Sequence, residues 1–187
     1  MPLILASASP RRRQLLEMLG LEIEVRPSHI PEARGAGETP IAYVERLARE
    51  KAHSVPGDLV LGADTTVQLD DTLLEKPADE DDALRMLRLL QGRSHSVITS
   101  VALVSHGQLR QATDVTAVTF RPCSDEFLRH YIATGEPMDK AGAYGIQGYG
   151  AALVERIDGD FFGVMGLPVR LVLRLLEEAG VGYRFGG

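Results

Sequence analysis

The sequence predicts an α/β fold: an elongated mixed β-sheet with helices on both faces. Three observations carry this. βα units open the chain, long alternating segments that read as hairpins fill its middle, and "LVLGAD" is a continuous apolar run of the kind that forms a buried central strand. The front units alone would argue for a purely parallel, doubly wound sheet. The hairpins demand antiparallel pairs as well.

The elements follow in order. "PLILA" reads as the first strand, and Pro10 to Leu19 as a helix with Ser9 at its N-cap, Pro10 at its first position and Gly20 as its stop. "LEIEV" alternates as a strand, and a Pro- and Gly-rich loop follows it. Thr39 and Pro40 open a second helix that runs to about Ser54. After "LVLGAD", the segments "TTVQL" and "TLLE" flank Asp70 and Asp71 as a hairpin. "DEDDALRMLRLL" is a helix whose acidic first turn suits the helix dipole. "HSVITSVALVS" and "QLRQATDVTAVTF" are two long strands joined at Ser105–His106–Gly107. Ser124 to Thr134 is a helix, and "DKAGAYGIQGYG" a glycine-dense loop. "AALVERI" and "DFFGV" read as strands paired across Asp158–Gly159, and Leu167 to Ala179 as the last helix. No repeat, low-complexity tract or clear linker interrupts residues 1–187, so a single domain is expected.

Composition narrows the function classes. The chain is 44% hydrophobic and 25% charged, with a net charge of −6. That balance argues against a general nucleic-acid binder and makes any arginine cluster a local feature. One cysteine, Cys123, excludes an intrachain disulfide and multi-cysteine metal sites, and it fits a reducing compartment. No apolar run reaches the ~20 residues of a membrane span, and the N-terminal run has no basic segment before it, so cytoplasm is the expected location.

The stretch "ASASPRRRQLL" breaks a local rule. Arg11, Arg12 and Arg13 crowd the partially positive end of a helix. Free N–H groups there favour an anion, Ser7 and Ser9 add hydroxyls, and arginine forks suit phosphate. Pairing with surface carboxylates is the competing explanation. Asp64 ends the apolar run, which places it at the carboxyl end of a central strand, where α/β proteins form ligand clefts. It could hold a hard cation or take a proton from water, or it could be a satisfied turn aspartate. Lys51 lies on or beside the apolar face of its helix, aimed inward at a phosphate or snorkelling to solvent. Lys76, in "EKP", reads as a loop lysine. Glu32, in the first long loop, could add a second carboxylate to a metal site. Gln147 lies among Gly142, Gly145, Gly148 and Gly150; its amide can match a uracil or thymine edge, or face solvent from a tight turn. A strand follows that loop, so a dinucleotide fingerprint fails on context, and no GxxxxGK[ST] or HExxH motif is present. The five histidines form no close metal-ligand pair, and His95 reads as structural.

Together, "ASASPRR", "LAREKA", "LGADT", "EKP", "DKAGAYGIQG" and "GLPV", in this order, resemble the Maf family of nucleoside triphosphate pyrophosphatases, once described as septum-formation inhibitors. The resemblance spans Leu3 to about Leu175. It implies cleavage between the α- and β-phosphates, a divalent cation such as Mg²⁺ or Mn²⁺ held by Asp64 and Glu32, and two lobes around a central cleft, as in Maf/ITPase-like folds. It implies a catalytic role for Asp64 and substrate binding by Ser9, Arg11, Arg12, Glu32, Lys51 and Lys76. Arg11, Thr65 and Gln147 match the subclass that takes dTTP and UTP; the sister subclass, which prefers 7-methyl-GTP, carries tryptophan, glutamine and glutamate there. Expected partners are the nucleotide substrates and, since family members are often homodimers, a second copy; nucleic acid and membrane are not expected. The alternative is a non-enzymatic, nucleotide- or protein-binding regulator of septum formation.

Overall fold

A computed structural model describes residues 2–185. Strands β1 (Leu3–Leu5), β2 (Ile23–Val25), β3 (Leu59–Leu69), β4 (Thr72–Leu74), β5 (Ser94–Ser105), β6 (Gln108–Phe120) and β7 (Val154–Asp158) form a seven-stranded sheet. Its order is β2-β1-β3-β5-β6-β7, with β4 paired to β3. β1 runs parallel to β2 and β3, whereas β3–β4 and β6–β7 are antiparallel. The sheet is therefore mixed, as the sequence predicts. The α-helices are α1 (Pro10–Met18), α2 (Pro40–Ser54), α3 (Glu80–Leu90), α4 (Asp125–Ile132), α5 (Phe161–Val164) and α6 (Val169–Glu178).

Capping fixes several helix starts. Thr39, Asp79 and Ser124 accept hydrogen bonds from the backbone N–H of Ala42, Asp82 and Phe127. Ser9 occupies the N-cap of α1, but its hydroxyl makes no capping bond. The β5–β6 turn places His106 and Gly107 both at positive φ, 47° and 78°, the backbone of a type I′ hairpin.

Three readings of the sequence are corrected. "LVLGAD" and "TTVQL" are one strand, because Thr66, Val67 and Leu69 stay buried and the apolar run's end does not end the pairing. Asp64 thus lies in the middle of β3 and not at a strand's carboxyl end. "DFFGV" is not the partner of β7. Asp160 accepts from the Gly163 N–H at 3.0 Å and starts α5, while β7 pairs with β6, Val118 opposite Ile157. The last helix begins at Val169, after Pro168, and ends at Glu178.

The described residues group into two compact units. The first contains residues 2–64, 99–114 and 166–185. In it Ile4, Ala6, Val55 and Val60 form one buried cluster, and Ala48, Ala52, Ala102 and Val104 another. Small residues on α2 let the helix lie close against β3. A Cβ on Gly62 would sit 2.3 Å from the Ala48 carbonyl oxygen and 2.6 Å from the Ala52 nitrogen.

The second unit contains residues 65–98 and 115–165, with a core that includes Val67, Leu74, Leu87, Val97, Phe120 and Leu128. His95 belongs to this core. Its ring packs edge-on against Phe120 and Tyr144, and its Nε2 shares a 2.7 Å hydrogen bond with the Tyr144 hydroxyl. Burial pushes the imidazole down to about 4. The folded state therefore favours neutral His95, and the unfolded chain binds more protons below its ordinary value of about 6.5. Stability is full above that value and is lost as pH falls toward 4. Between pH 7 and pH 5 this group removes about 2 kcal/mol. Urea unfolding at both pH values should show that difference in the wild type and not in His95→Gln; equal slopes for the two would remove His95 as the cause.

Candidate active site

In the first unit, the segment before α1 turns one arginine inward. The Ser9 N–H donates to Ser7 Oγ at 3.2 Å. Arg12 Nε donates to the Gly166 carbonyl at 2.8 Å, and Arg12 Nη1 donates to Ser7 Oγ at 3.1 Å. Arg12 is buried, Arg11 is half-buried, and Arg13 lies on the surface in an i,i+4 pair with Glu17 at 2.7 Å. The three arginines thus have three different settings, and Arg13 follows the surface-pairing explanation. Burial lowers the Arg12 pKa and the charge of Arg11 adds to this, while Asp64 and Glu32 act in the opposite direction.

Close packing of α2 on β3 brings Lys51 to Asp64. Lys51 Nζ donates to Asp64 Oδ1 at 2.7 Å and pairs with Glu32 Oε1 at 2.6 Å. The side chains of Lys51 and Asp64 are 7% and 9% exposed, whereas that of Glu32 is 46% exposed. The lysine therefore does not snorkel. It sits under a carboxylate that reaches solvent. The Tyr43 hydroxyl, from α2, donates to the Glu32 carbonyl at 3.3 Å and ties that loop to the helix. Burial raises the Asp64 pKa, partly opposed by Lys51 and Arg12, so this carboxylate is more basic than a surface one.

The chain's own donors bear on a cation. Among the described residues no cluster of three or more His, Cys, Asp or Glu could hold a metal by itself. Asp64 and Glu32 share one lysine, and both are hard oxygen donors. Two carboxylates suit a cation such as Mg²⁺, which takes one or two of them and completes its shell with substrate phosphates and water.

Ser9, Arg11, Arg12, Glu32, Lys51 and Asp64 all belong to the first unit, and Arg12, Glu32, Lys51 and Asp64 are coupled electrostatically within it. Thr65, Lys76 and Gln147 belong to the second unit. Thr65 follows Asp64 in β3 and is half-buried; Lys76 is exposed just after β4; Gln147 is exposed and precedes a 3₁₀ turn over Gly148–Leu153. In that loop Gly142 has φ 71°, and a Cβ there would meet the Val67 side chain at 2.9 Å. Sequence reasoning did not find the Gly166 carbonyl or Tyr43. The first is a backbone atom 154 residues from Arg12, which no motif marks, and the second reads as a core aromatic.

Comparison with known proteins places the chain in a family. The family model described as Maf-like protein matches residues 2–179. A protein of Koribacter versatilis named dTTP/UTP pyrophosphatase is 52% identical over 185 residues, covering 97% of this chain and 96% of that protein. Proteins of the same name from Chromobacterium violaceum and Bacillus velezensis are 51% and 48% identical, covering 94% and 96% of this chain and 93% and 97% of their own. A solved structure titled "Structure of a HAM1 protein from Coxiella burnetii" aligns with a TM-score of 0.49 at 17% identity, covering 98% of this chain and 92% of that one.

Proposed function

The chain belongs to the Maf family, and from that premise we propose that it hydrolyses dTTP and UTP to the monophosphate and pyrophosphate. The relatives' name supports the substrates, and the Asp64–Lys51–Glu32 trio is the observation that carries the chemistry. The whole chain is read as one Maf-like domain working in the cytoplasm, as a homodimer.

In this reading Asp64 takes a proton from the attacking water. The water oxygen bonds to phosphorus, the anhydride between the α- and β-phosphates breaks, and the electron pair leaves with pyrophosphate. The raised basicity of buried Asp64 suits the proton transfer. Arg12, locked by Ser7 and the Gly166 carbonyl, presents a fixed guanidinium to phosphate oxygens, with Arg11, Ser9 and Lys76 as further donors. Lys51 neutralises charge that develops on the phosphates. Asp64 and Glu32 would hold a divalent cation, which when bound supplies further charge neutralisation. Gln147 hydrogen-bonds the pyrimidine edge, and a base that left its amide unpaired would be disfavoured.

The test is product analysis with Mg²⁺ and a nucleotide panel. Pyrophosphate from dTTP and UTP, and not from ATP or GTP, is the expected result. Orthophosphate alone would mean γ-phosphate cleavage, and no product from any nucleotide would favour a non-enzymatic regulator. Gln147→Glu should lower kcat/KM for dTTP about tenfold or more, with inhibition by pyrophosphate little changed. Equal loss of both would make Gln147 structural.

A further inference from the structure

We propose that Glu136, together with the Tyr131 hydroxyl, is the positioning residue that fixes the base-reading Gln147. The inference rests on the reading of Gln147 given above and deepens it. All of its contacts lie within the second unit.

The loop on both sides of Gln147 is tied to one carboxylate. After it, the Tyr149 N–H donates to Glu136 Oε2 at 2.9 Å and the Gly150 N–H donates to Glu136 Oε1 at 2.9 Å. Before it, the Gly145 N–H donates to the Tyr131 hydroxyl oxygen at 3.1 Å, and that hydroxyl donates to Glu136 Oε1 at 2.9 Å. Three donors thus converge on Glu136, and the chain entering and leaving Gln147 hangs from the same group. Hydrogen bonds to a charged acceptor are roughly twice as strong as neutral ones.

The loop's glycines are where the clamp needs them. Gly148 has φ 66°, and a Cβ on it would lie 2.4 Å from Glu136 Oε2. A Cβ on Gly150 would lie 2.0 Å from the Gly145 carbonyl oxygen and 2.7 Å from the Tyr131 hydroxyl. Any side chain at either position would push the loop off the carboxylate. Glu136 is held in turn: its N–H donates to Thr134 Oγ1 at 3.2 Å, and its carbonyl accepts from the Lys140 ammonium. Ile146 is buried beneath the loop, so the exposed side chain suspended between the anchored amides is that of Gln147. A base-reading amide needs a fixed direction as well as a donor and an acceptor, and this carboxylate supplies it.

A double-mutant cycle tests the proposal. Steady-state kinetics with dTTP and CTP would be measured for the wild type, Glu136→Gln, Gln147→Ala and the double variant. Glu136→Gln keeps the shape but turns an N–H₂ toward backbone donors, so the preference for dTTP should fall about tenfold. In the Gln147→Ala background the same change should alter that preference by less than about twofold, because the group it acts through is gone. Amide exchange at Gly145, Tyr149 and Gly150 should accelerate in Glu136→Gln. An equal loss of preference in both backgrounds overturns the proposal, as does an unchanged preference in Glu136→Gln. If Gln147→Ala itself keeps the dTTP preference, the base-reading role fails and the proposal falls with it. That result is told apart from failure of the clamp alone, in which Gln147→Ala loses preference and Glu136→Gln does not. Should Glu136→Gln not fold, Tyr131→Phe removes two bonds of the clamp, the one from the Gly145 N–H and the one to Glu136 Oε1, and must lower the preference in the same direction.

Discussion

Asp64→Asn loses turnover by roughly 10³-fold while nucleotide binding survives. The substitution is nearly isosteric. Lys51 can still donate to the Asn oxygen, so the packing of α2 on β3 should hold and unfolding should stay cooperative. What is lost is a buried carboxylate whose basicity is raised and which interacts with both Lys51 and Arg12. Pyrophosphate release measures turnover, and calorimetric titration with dTTP measures binding. Near-normal turnover would take Asp64 out of the proton-transfer role. Loss of binding together with turnover would make Asp64 a holder of the ligand and not a base.

Gly62→Ala should be the most damaging single methyl group in the first unit. The added carbon would stand 2.3 Å from one backbone atom of α2 and 2.6 Å from another, and neither can swing aside as a flexible side chain could. The helix must lift from β3 or the strand must bend. Overpacking of this kind costs about 1–3 kcal/mol, and more where backbone is the obstacle. Lys51 lies between Ala48 and Ala52 along α2, so any lift also lengthens its contact with Asp64. Thermal unfolding should show a lowered Tm, and turnover at a temperature where the variant is folded should fall as well. A wild-type Tm would show that α2 accommodates the methyl group; a lowered Tm with full turnover would show that the Lys51–Asp64 contact does not depend on this packing.

Much of this was legible in the sequence, and the exceptions share a cause. The helices announced themselves through local chemistry at Thr39, Asp79 and Ser124. The mixed sheet followed from βα units beside long hairpins. The misread segments were those whose fate is set by distant partners. "DFFGV" has strand-like residues, but Asp160 caps a helix there and β6 has already claimed β7. The boundary after Asp64 looked like a strand end because the apolar run stops, yet β3 continues to Leu69. At the site, charge placement was the readable part: arginines at a helix start signalled a broken local rule, and a lysine on or beside an apolar face left its direction open. Contacts made by backbone atoms left no trace, and so the Gly166 carbonyl under Arg12 and the amides on Glu136 were found only in the fold.

Arg12, Lys51, Asp64 and Glu32 carry two positive and two negative charges among them, so these four groups of the proposed site are balanced against one another. The chain around it has a net charge of −6. Such a molecule sets up little long-range attraction for a polyanion, and its encounters with nucleotide are not steered as they would be by a basic funnel. Capture must instead be an exchange at contact distance, in which phosphate oxygens displace carboxylates from the same cations. The association rate of dTTP should accordingly rise with ionic strength, as screening relieves the repulsion between two negatively charged partners, while the lifetime of the complex carries the affinity.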